Sequence, residues 1–431
     1  MPIIKTYRVK ATKSASIPFV RAWHLDQPRN NQRSEVIEEV SGWVFTEGQP
    51  GPLLIELHVD GERVQSCPPN IPVPKARRAV FGSDDPSPND ITAGFSIGVP
   101  LSATSIRLVF VYEYQSVTAA KITASNTFKV QEGLGGYLFL DNDTNKSVDQ
   151  FTGRITLGTQ AREGWEKFFE GLRHLEADGA IAKLMICPAN EEVFSDLYPH
   201  KRGVSTPVDN VVDLAGPGQL VDHFGALSAE REAAFSKIDT HWSDYGARIG
   251  AAVYLQSVGL ASFASHLPTS FKDHRRFGDL GGKLTPQQSG TFLVLDPAEH
   301  VPPSYSNGID NHGRIWVYDS TQAPVAETLV LFGDSYSVSL SAILARVFKR
   351  VVYVYSAAST NRTVLDHEKP KYVLCQTNQR FVTGAPLVNE DLEAKLSRKL
   401  QTVGSIDQPT AAGKNAFYAK LMQHLARNAT A

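Results

Sequence analysis

The sequence predicts two domains of different class, a smaller all-β sandwich over residues 1–130 and a larger α/β domain with a mostly parallel sheet over residues 131–431. Three observations predict it. At 431 residues the chain is about three times the usual domain size, so a single packed core is not expected. From about Val36 to Val130 apolar residues recur at every second position. Beyond Gln131-Glu132-Gly133-Leu134-Gly135-Gly136, a glycine-rich hinge, that period gives way to helical stretches alternating with short apolar runs.

In the first domain Ile55, Leu57 and Val59 alternate with Glu56 and His58 ahead of an Asp60-Gly61 turn. Ile106, Leu108, Phe110 and Tyr112 form a second such face against Arg107 and Glu113. Cys67 to Asp90 is dense in Pro, Ser and Asp and is expected to be loop. Trp43 is expected in the sandwich core rather than on a carbohydrate platform. Ser41-Gly42-Trp43-Val44, Val59-Asp60-Gly61 and Gly94-Phe95 together resemble the small β-domain fused to bacterial polysaccharide-modifying enzymes. The resemblance implies a glycan-binding or docking role for this domain.

In the second domain helices are expected over Gly164 to Glu176, Asp244 to Val258 and Val338 to Phe348, with a last one near Ala416 to Ala426 after a polar break from Thr402 to Gly413. The apolar runs are Ala182 to Ile186, Thr291 to Leu295, Thr328 to Phe332, Val351 to Val354 and Tyr372 to Leu374. Leu329-Val330-Leu331-Phe332 shows no polar alternation, as a strand buried on both faces should not.

Composition narrows the function. Forty-three basic against 45 acidic residues leave a net charge of -2, so no global basic field holds nucleic acid or anionic lipid. Cys67, Cys187 and Cys375 are too few and too scattered for a disulfide framework or a four-cysteine zinc site. Gly281-Gly282-Lys283 lacks the strand and helix of a phosphate loop, so no nucleotide, metal or other cofactor is expected. No run approaches the roughly 18 apolar residues of a membrane span, and no secretory leader is written, which makes the chain cytoplasmic as it stands and periplasmic if a leader has been removed.

The chemistry concentrates at Gly333-Asp334-Ser335-Tyr336-Ser337, between an apolar strand and an apolar helix pattern. That context puts the Ser335 hydroxyl at the carboxyl edge of the sheet beside a helix N-terminus. Both a nucleophile and a helix cap fit. A serine nucleophile needs a histidine and a group that orients it. Among 12 histidines the best placed is His241, in Asp239-Thr240-His241-Trp242 just before a helix. Two residues apart on extended chain, Asp239 and His241 project to one side. Asp310-Asn311-His312 has the same spacing in a glycine- and asparagine-rich loop and is a decoy. Trp242 is expected to pack against the sheet.

Asp239-Thr240-His241-Trp242 and Gly333-Asp334-Ser335-Tyr336, in that chain order, resemble the paired signatures of the alginate O-acetyltransferase family, SGNH-hydrolase-like enzymes of bacterial exopolysaccharide acetylation. Gly136-Tyr137-Leu138-Phe139-Leu140 resembles the family's opening strand, and Pro188 to Tyr198-Pro199 its Pro-x-Lys to Tyr-Pro segment. The resemblance implies a three-layer α/β/α domain and a catalytic triad of Ser335, His241 and Asp239. It also implies a glycan acceptor and an acyl donor or donor-supplying protein. Two departures remove charge: Asn190 stands where the family has lysine, and Gln376 to Arg380 replaces a Glu-x-x-Glu-Arg strand. They point to a glycan other than a uronic-acid polymer. Asn190 and Arg380 remain candidates for substrate binding, and Gly333 and Tyr336 for the oxyanion site, with the Tyr336 N–H as donor. The expected activity is O-acetyl transfer to a carbohydrate hydroxyl through an acetyl-serine. A carbohydrate O-acetyl esterase and a silent glycan-binding protein are the alternatives.

Overall fold

The computed structural model describes residues 5–30, 32–34, 37–47, 52–82, 92–100, 103, 105–126, 130–141, 143–284, 286–403 and 411–429. It divides into two compact units, Met1–Lys129 and Val130–Ala431.

The first unit is built from two antiparallel sheets. Strands β1 (Lys5–Ala11), β3 (Gln32–Ser34), β5 (Leu53–Val59), β6 (Glu62–Cys67), β8 (Ser105–Tyr112) and β9 (Gln115–Asn126) form one, in the order β3-β1-β9-β8-β5-β6. Strands β2 (Val20–Gln27), β4 (Glu39–Thr46) and β7 (Gly94–Gly98) form the other. The period of two sets which side chains meet between them. Ile55, Leu57, Leu108 and Phe110 from the larger sheet share one core with Val40, Val44, Phe95 and Ile97 from the smaller. Asp60 and Gly61 link β5 to β6 with φ of 50° and 99°, the positive values that a two-residue hairpin turn of right-handed twist requires.

Two expectations for this unit are corrected. Residues Pro74–Phe81, inside the stretch read as loop, form a helix, with proline in its first turn and Gly82 at φ 69° closing it by donating to the Arg78 carbonyl. Its apolar signal is short because it sets down one half-buried ring, Phe81, edge-on to Phe45 at 5.2 Å. Residues 83–91 lie outside the described residues. Trp43 is not in the sandwich core: Val40, Gly42 and Val44 take the buried positions of β4, so Trp43 points the other way and packs half-buried on Phe45 at 5.3 Å. Trp23 meets that core instead, edge-on to Phe110 at 5.3 Å.

The second unit mixes helices with three sheets. Short strands β10 (Val130–Glu132) and β11 (Leu138–Leu140) pair antiparallel across the glycine-rich segment. The central sheet runs β12 (Ile181–Cys187), β19 (Tyr372–Asn378), β17 (Val325–Gly333), β18 (Phe348–Tyr355), β16 (Ile315–Asp319), β15 (Tyr305–Ser306) in space. Its first four strands are parallel, but β16 and β15 join antiparallel, so the sheet is mixed rather than uniformly parallel. Thr291 to Leu295 is not in it. That run belongs to β14 (Ser289–Leu295), paired antiparallel with the charged and largely exposed β13 (Phe271–Phe277), and it buries only Phe292 against Leu138, Leu140, Ile238 and Leu280.

Alternate residues of β17 feed two cores. Leu329 and Leu331 join Trp242, Tyr254, Leu340 and Ile343; Val330 and Phe332 join Phe168, Leu172, Leu396 and Met422. Each such fully buried side chain contributes about 1.5–3 kcal/mol, which holds this strand at the centre of the unit. The helix after it covers Ser337–Leu344, shorter than the apolar pattern suggests because Phe348 already begins β18. Other helices span Thr159–Ala177, Asp244–Ser257, Leu392–Val403 and Ala416–Ala429, while 404–410, within the expected polar break, lie outside the described residues. A parallel bridge from Leu184 to Leu220 extends the sheet past β12.

Candidate active site

Asp239 and His241 lie on the loop closed by an antiparallel bridge between Phe235 and Trp242. Ile238 anchors it in a small apolar cluster, and Lys237 accepts a bond from the Leu138 N–H through its carbonyl at 2.7 Å, tying the loop to β11. Ser243 then caps the helix Asp244–Ser257 by accepting from the Gly246 N–H at 3.1 Å.

The second half of the site is the turn from β17 into the helix Ser337–Leu344. Asp334, wholly buried, accepts from the N–H of Tyr336 at 2.9 Å and of Asn378 at 2.7 Å, and its own N–H goes to Gln376 Oε1 at 3.0 Å. Burial pushes the Asp334 carboxyl above its usual range against these donors. Gln376 Oε1 also accepts from Ser337 Oγ at 2.6 Å, so the end of β19 pins the turn. Gly333 serves by lacking a side chain, since a Cβ there would sit 2.0 Å from Ser337 Oγ.

Ser335, two residues past Gly333, is left half-buried with its Oγ 2.8 Å from His241 Nε2. His241 Nδ1 lies 2.8 Å from Asp239 Oδ1. Because Asp239 Oδ1 can only accept, Nδ1 carries the proton and Nε2 presents its lone pair to the serine hydroxyl. Asp239 also accepts from the backbone N–H of His241 and of Asp279, each at 2.8 Å. Burial would raise the Asp239 carboxyl, but the imidazole's hydrogen bond and charge outweigh it and hold the group below the usual range. Burial would lower His241, and Asp239 by hydrogen bond and charge raises it above the ordinary histidine value. The arrangement can move a proton from Ser335 to His241 while a fixed carboxylate balances the imidazolium.

The other expected site residues fare differently. The N–H of Tyr336 is committed to Asp334 and is not free for an oxyanion, a correction that follows from the tight turn: residue i+2 falls within reach of the Asp334 carboxylate. The Tyr336 hydroxyl donates to the Thr240 carbonyl, and its ring packs 5.0 Å from His241. Gly333, expected at the oxyanion site, contributes sterics to the turn, and its carbonyl accepts from the N–H groups of Ser356 and Ala357. Asn190 is buried, its amide N–H donating to the Leu138 carbonyl at 3.0 Å and its Oδ1 left without a partner. Arg380 reaches Thr240 Oγ1 at 3.5 Å and Asn378 Oδ1 at 3.0 Å, and so stands beside the histidine loop. Trp242 packs in the core and donates to the Tyr336 carbonyl at 3.0 Å. The decoy separates: Asp310 pairs with Arg314 at 2.9 Å, and His312 lies 3.4 Å from Glu390.

Asp279 was not legible in the sequence. It follows β13 by two residues and accepts from the Thr240 N–H at 2.7 Å and the Thr240 hydroxyl at 2.6 Å, locking the loop between Asp239 and His241. Gly278 before it allows that approach, for a Cβ would lie 2.2 Å from the Ile238 carbonyl oxygen. Asp239, His241 and Asp279 offer ligand atoms within 4.8 Å of one another, a group that could hold a metal ion. An ion there would have to displace the hydrogen bond between His241 and Asp239.

No protein-family model matches the chain, and no curated protein matches it. Among solved structures it is similar to a DHHW family protein from Eubacterium siraeum, at 11% identity and TM-score 0.41 over 67% of this chain and 93% of that one. It is similar to the O-acetyltransferase domain of Pseudomonas putida AlgJ, at 15% identity and TM-score 0.37 over 59% and 92%. It is also similar to Bacillus cereus PatB1 with a sulfonyl adduct, at 11% identity and TM-score 0.43 over 62% and 97%. Likeness of this degree assigns neither family nor activity, so the functional reading rests on the site. Among the described residues no helix is long and apolar enough to cross a membrane.

Proposed function

We propose that the protein is an SGNH-type acyl-transfer enzyme with a three-layer catalytic domain, an O-acetyltransferase that moves an acetyl group to a carbohydrate hydroxyl through Ser335. The observation that carries the reading is the continuous chain from Asp239 Oδ1 through His241 to Ser335 Oγ, 2.8 Å at each step. His241 Nε2 takes the Ser335 proton as Oγ attacks the acetyl carbonyl of the donor. The tetrahedral adduct collapses to acetyl-Ser335, and the imidazolium returns its proton to the leaving group. A sugar hydroxyl then gives its proton to His241 and attacks the acetyl carbonyl, which releases acetylated sugar and restores Ser335. Asp239 keeps the imidazole in one tautomer throughout. Arg380, held at the histidine loop by Thr240, supplies positive charge near the reacting carbonyl. The acceptor and the donor, whether a small ester or a protein that supplies the acetyl group, bind from outside. A bound acceptor competes with roughly 55 M water through its effective concentration.

Intact-mass measurement after incubation with a chromogenic acetyl ester tests this. The wild type should gain one acetyl group and Ser335→Ala none, with the variant still folded because it loses only the hydrogen bonds of one half-buried hydroxyl, to His241 and Tyr355, worth about 1 kcal/mol each. Acetyl uptake by Ser335→Ala at the wild-type rate would place the nucleophile elsewhere. Added glycan should divert acetyl from acetate to sugar. If no glycan diverts any and acetylated glycan loses its acetyl groups, the enzyme is an esterase.

A further inference from the structure

A cavity of about 710 Å³ opens outside the carboxyl ends of β12 and β19, lined by Ile186 and Pro188 from the first and by Gln379 just past the second. Ligands of open α/β sheets bind at this edge, and the volume suits a ligand of drug size. β12 is two strand positions from β17, the strand that leads into the Ser335 turn, about 10 Å across the sheet at ~4.8 Å per strand.

Its lining states what it would accept. Leu220, Val221 and Phe224 give it an apolar wall, with Phe224 45% exposed. Its cation, Arg202, is already taken: Glu192 binds it at 2.8 Å and Asp209 at 2.7 Å, and Asp222 adds an exposed carboxylate at the rim. Three carboxylates against one guanidinium in the lining repel an anion.

His223 supplies the independent sign of a missing partner. Its ring is 2% exposed, and Nδ1 lies 3.0 Å from the Val221 carbonyl oxygen, which can only accept. Nδ1 therefore carries the proton, and Nε2 is a buried acceptor with no hydrogen-bond partner. Burial holds His223 below the ordinary histidine value, in keeping with a neutral ring. Such an atom costs about 1–3 kcal/mol until a donor reaches it. The same ring lies edge-on to Trp242 at 6.2 Å, and Trp242 donates to the carbonyl of Tyr336, next to the serine.

We infer that this cavity is the acceptor subsite for an uncharged sugar unit, whose apolar face lies on Phe224 and whose hydroxyls reach Asp222 and His223 Nε2, and that it turns away uronic acids. The inference rests on the acyl-transfer reading, and the two are tested apart. Ser335→Ala protein, which cannot turn over, is titrated with neutral oligosaccharides of glucose, galactose, mannose and N-acetylglucosamine, and with oligogalacturonate and oligomannuronate. A neutral oligosaccharide should bind and the uronates should not, binding should weaken about tenfold on adding Phe224→Ala or Asp222→Ala, and the His223 side-chain nitrogen resonance should shift on saturation. Both added substitutions are at exposed positions, so the fold is kept. Failure of every neutral oligosaccharide to bind, tighter binding of a uronate, or undiminished binding in both variants would overturn the assignment. Acetylation of wild-type Ser335 by the chromogenic ester without glycan decides the reaction separately, whatever the cavity binds.

Discussion

The imidazole of His241 is pressed in two directions, and under the proposed function the outcome sets the working pH. Burial favours its neutral form, Asp239 favours its charged form, and the second prevails, so its pKa lies above the ordinary 6.5. Only the neutral ring can accept the Ser335 proton. Ester cleavage should therefore fall as pH drops, with the midpoint of kcat/KM above 6.5 rather than below it. Asp239→Asn removes the charge and the tautomer lock together: the midpoint should move to lower pH and the rate fall on the order of 10⁴-fold, read from pH profiles of the two proteins. His241→Ala should lower turnover by several orders of magnitude, whereas His312→Ala, which breaks contacts with Glu390, Lys395 and Tyr355, should leave it within about twofold in the same assay. These residues were legible because the signals are local. Two positions on an extended loop share a side, and a glycine turn between strand and helix exposes its serine. Asp279 was not, since 40 residues, among them the helix Asp244–Ser257 and strand β13, separate it from Asp239. The oxyanion expectation for Tyr336 meets a local obstacle as well: the tight turn brings its N–H onto the Asp334 carboxylate, two residues before it.

At the scale of elements, the turn after β17 works as one body. Gly333, Asp334, Ser337 and Gln376 close on each other so tightly that a methyl group at Gly333 meets Ser337 Oγ at 2.0 Å and Gln376 Oε1 at 2.9 Å. Gly333→Ala should cost about 1–3 kcal/mol in a urea titration and also reduce acetylation of Ser335, because the side chains that must yield are those holding the turn. Loss of stability with full acetylation would mean that the turn tolerates displacement. The strand Leu329-Val330-Leu331-Phe332 was readable because burial on both faces leaves no polar alternation. The run at Thr291 to Leu295 looked the same in sequence, yet a strand paired to a charged neighbour buries one face only, and an apolar run does not name its partner. The helix Pro74–Phe81 was hidden by its shortness: two turns around one half-buried ring leave no period to detect.

Across the whole molecule, each apolar core found among the described residues draws on one unit. The sandwich core draws on residues from Tyr7 to Ile122, and the three clusters of the second unit on residues from Val130 onward. Val130–Ala431 produced alone should therefore fold and keep acetyl-ester cleavage, seen as a cooperative melt and acetylation of Ser335. An aggregated or inactive fragment would make the sandwich integral to the catalytic unit. The change of period near residue 130 was visible in the sequence, while the direction of each strand was not, since parallel and antiparallel neighbours ask for the same apolar residues. One feature of the site also governs when it exists. His241 and Ser335 stand 94 residues apart, on a loop fixed by β11 and on a turn fixed by β19, a strand later than both in the chain. A growing chain exposes the histidine loop first, the serine next and the strand that clamps the turn last, so the nascent polypeptide carries an unactivated serine until synthesis has passed residue 378. The contact between His241 and Ser335 is thus completed only together with the finished sheet of the second unit.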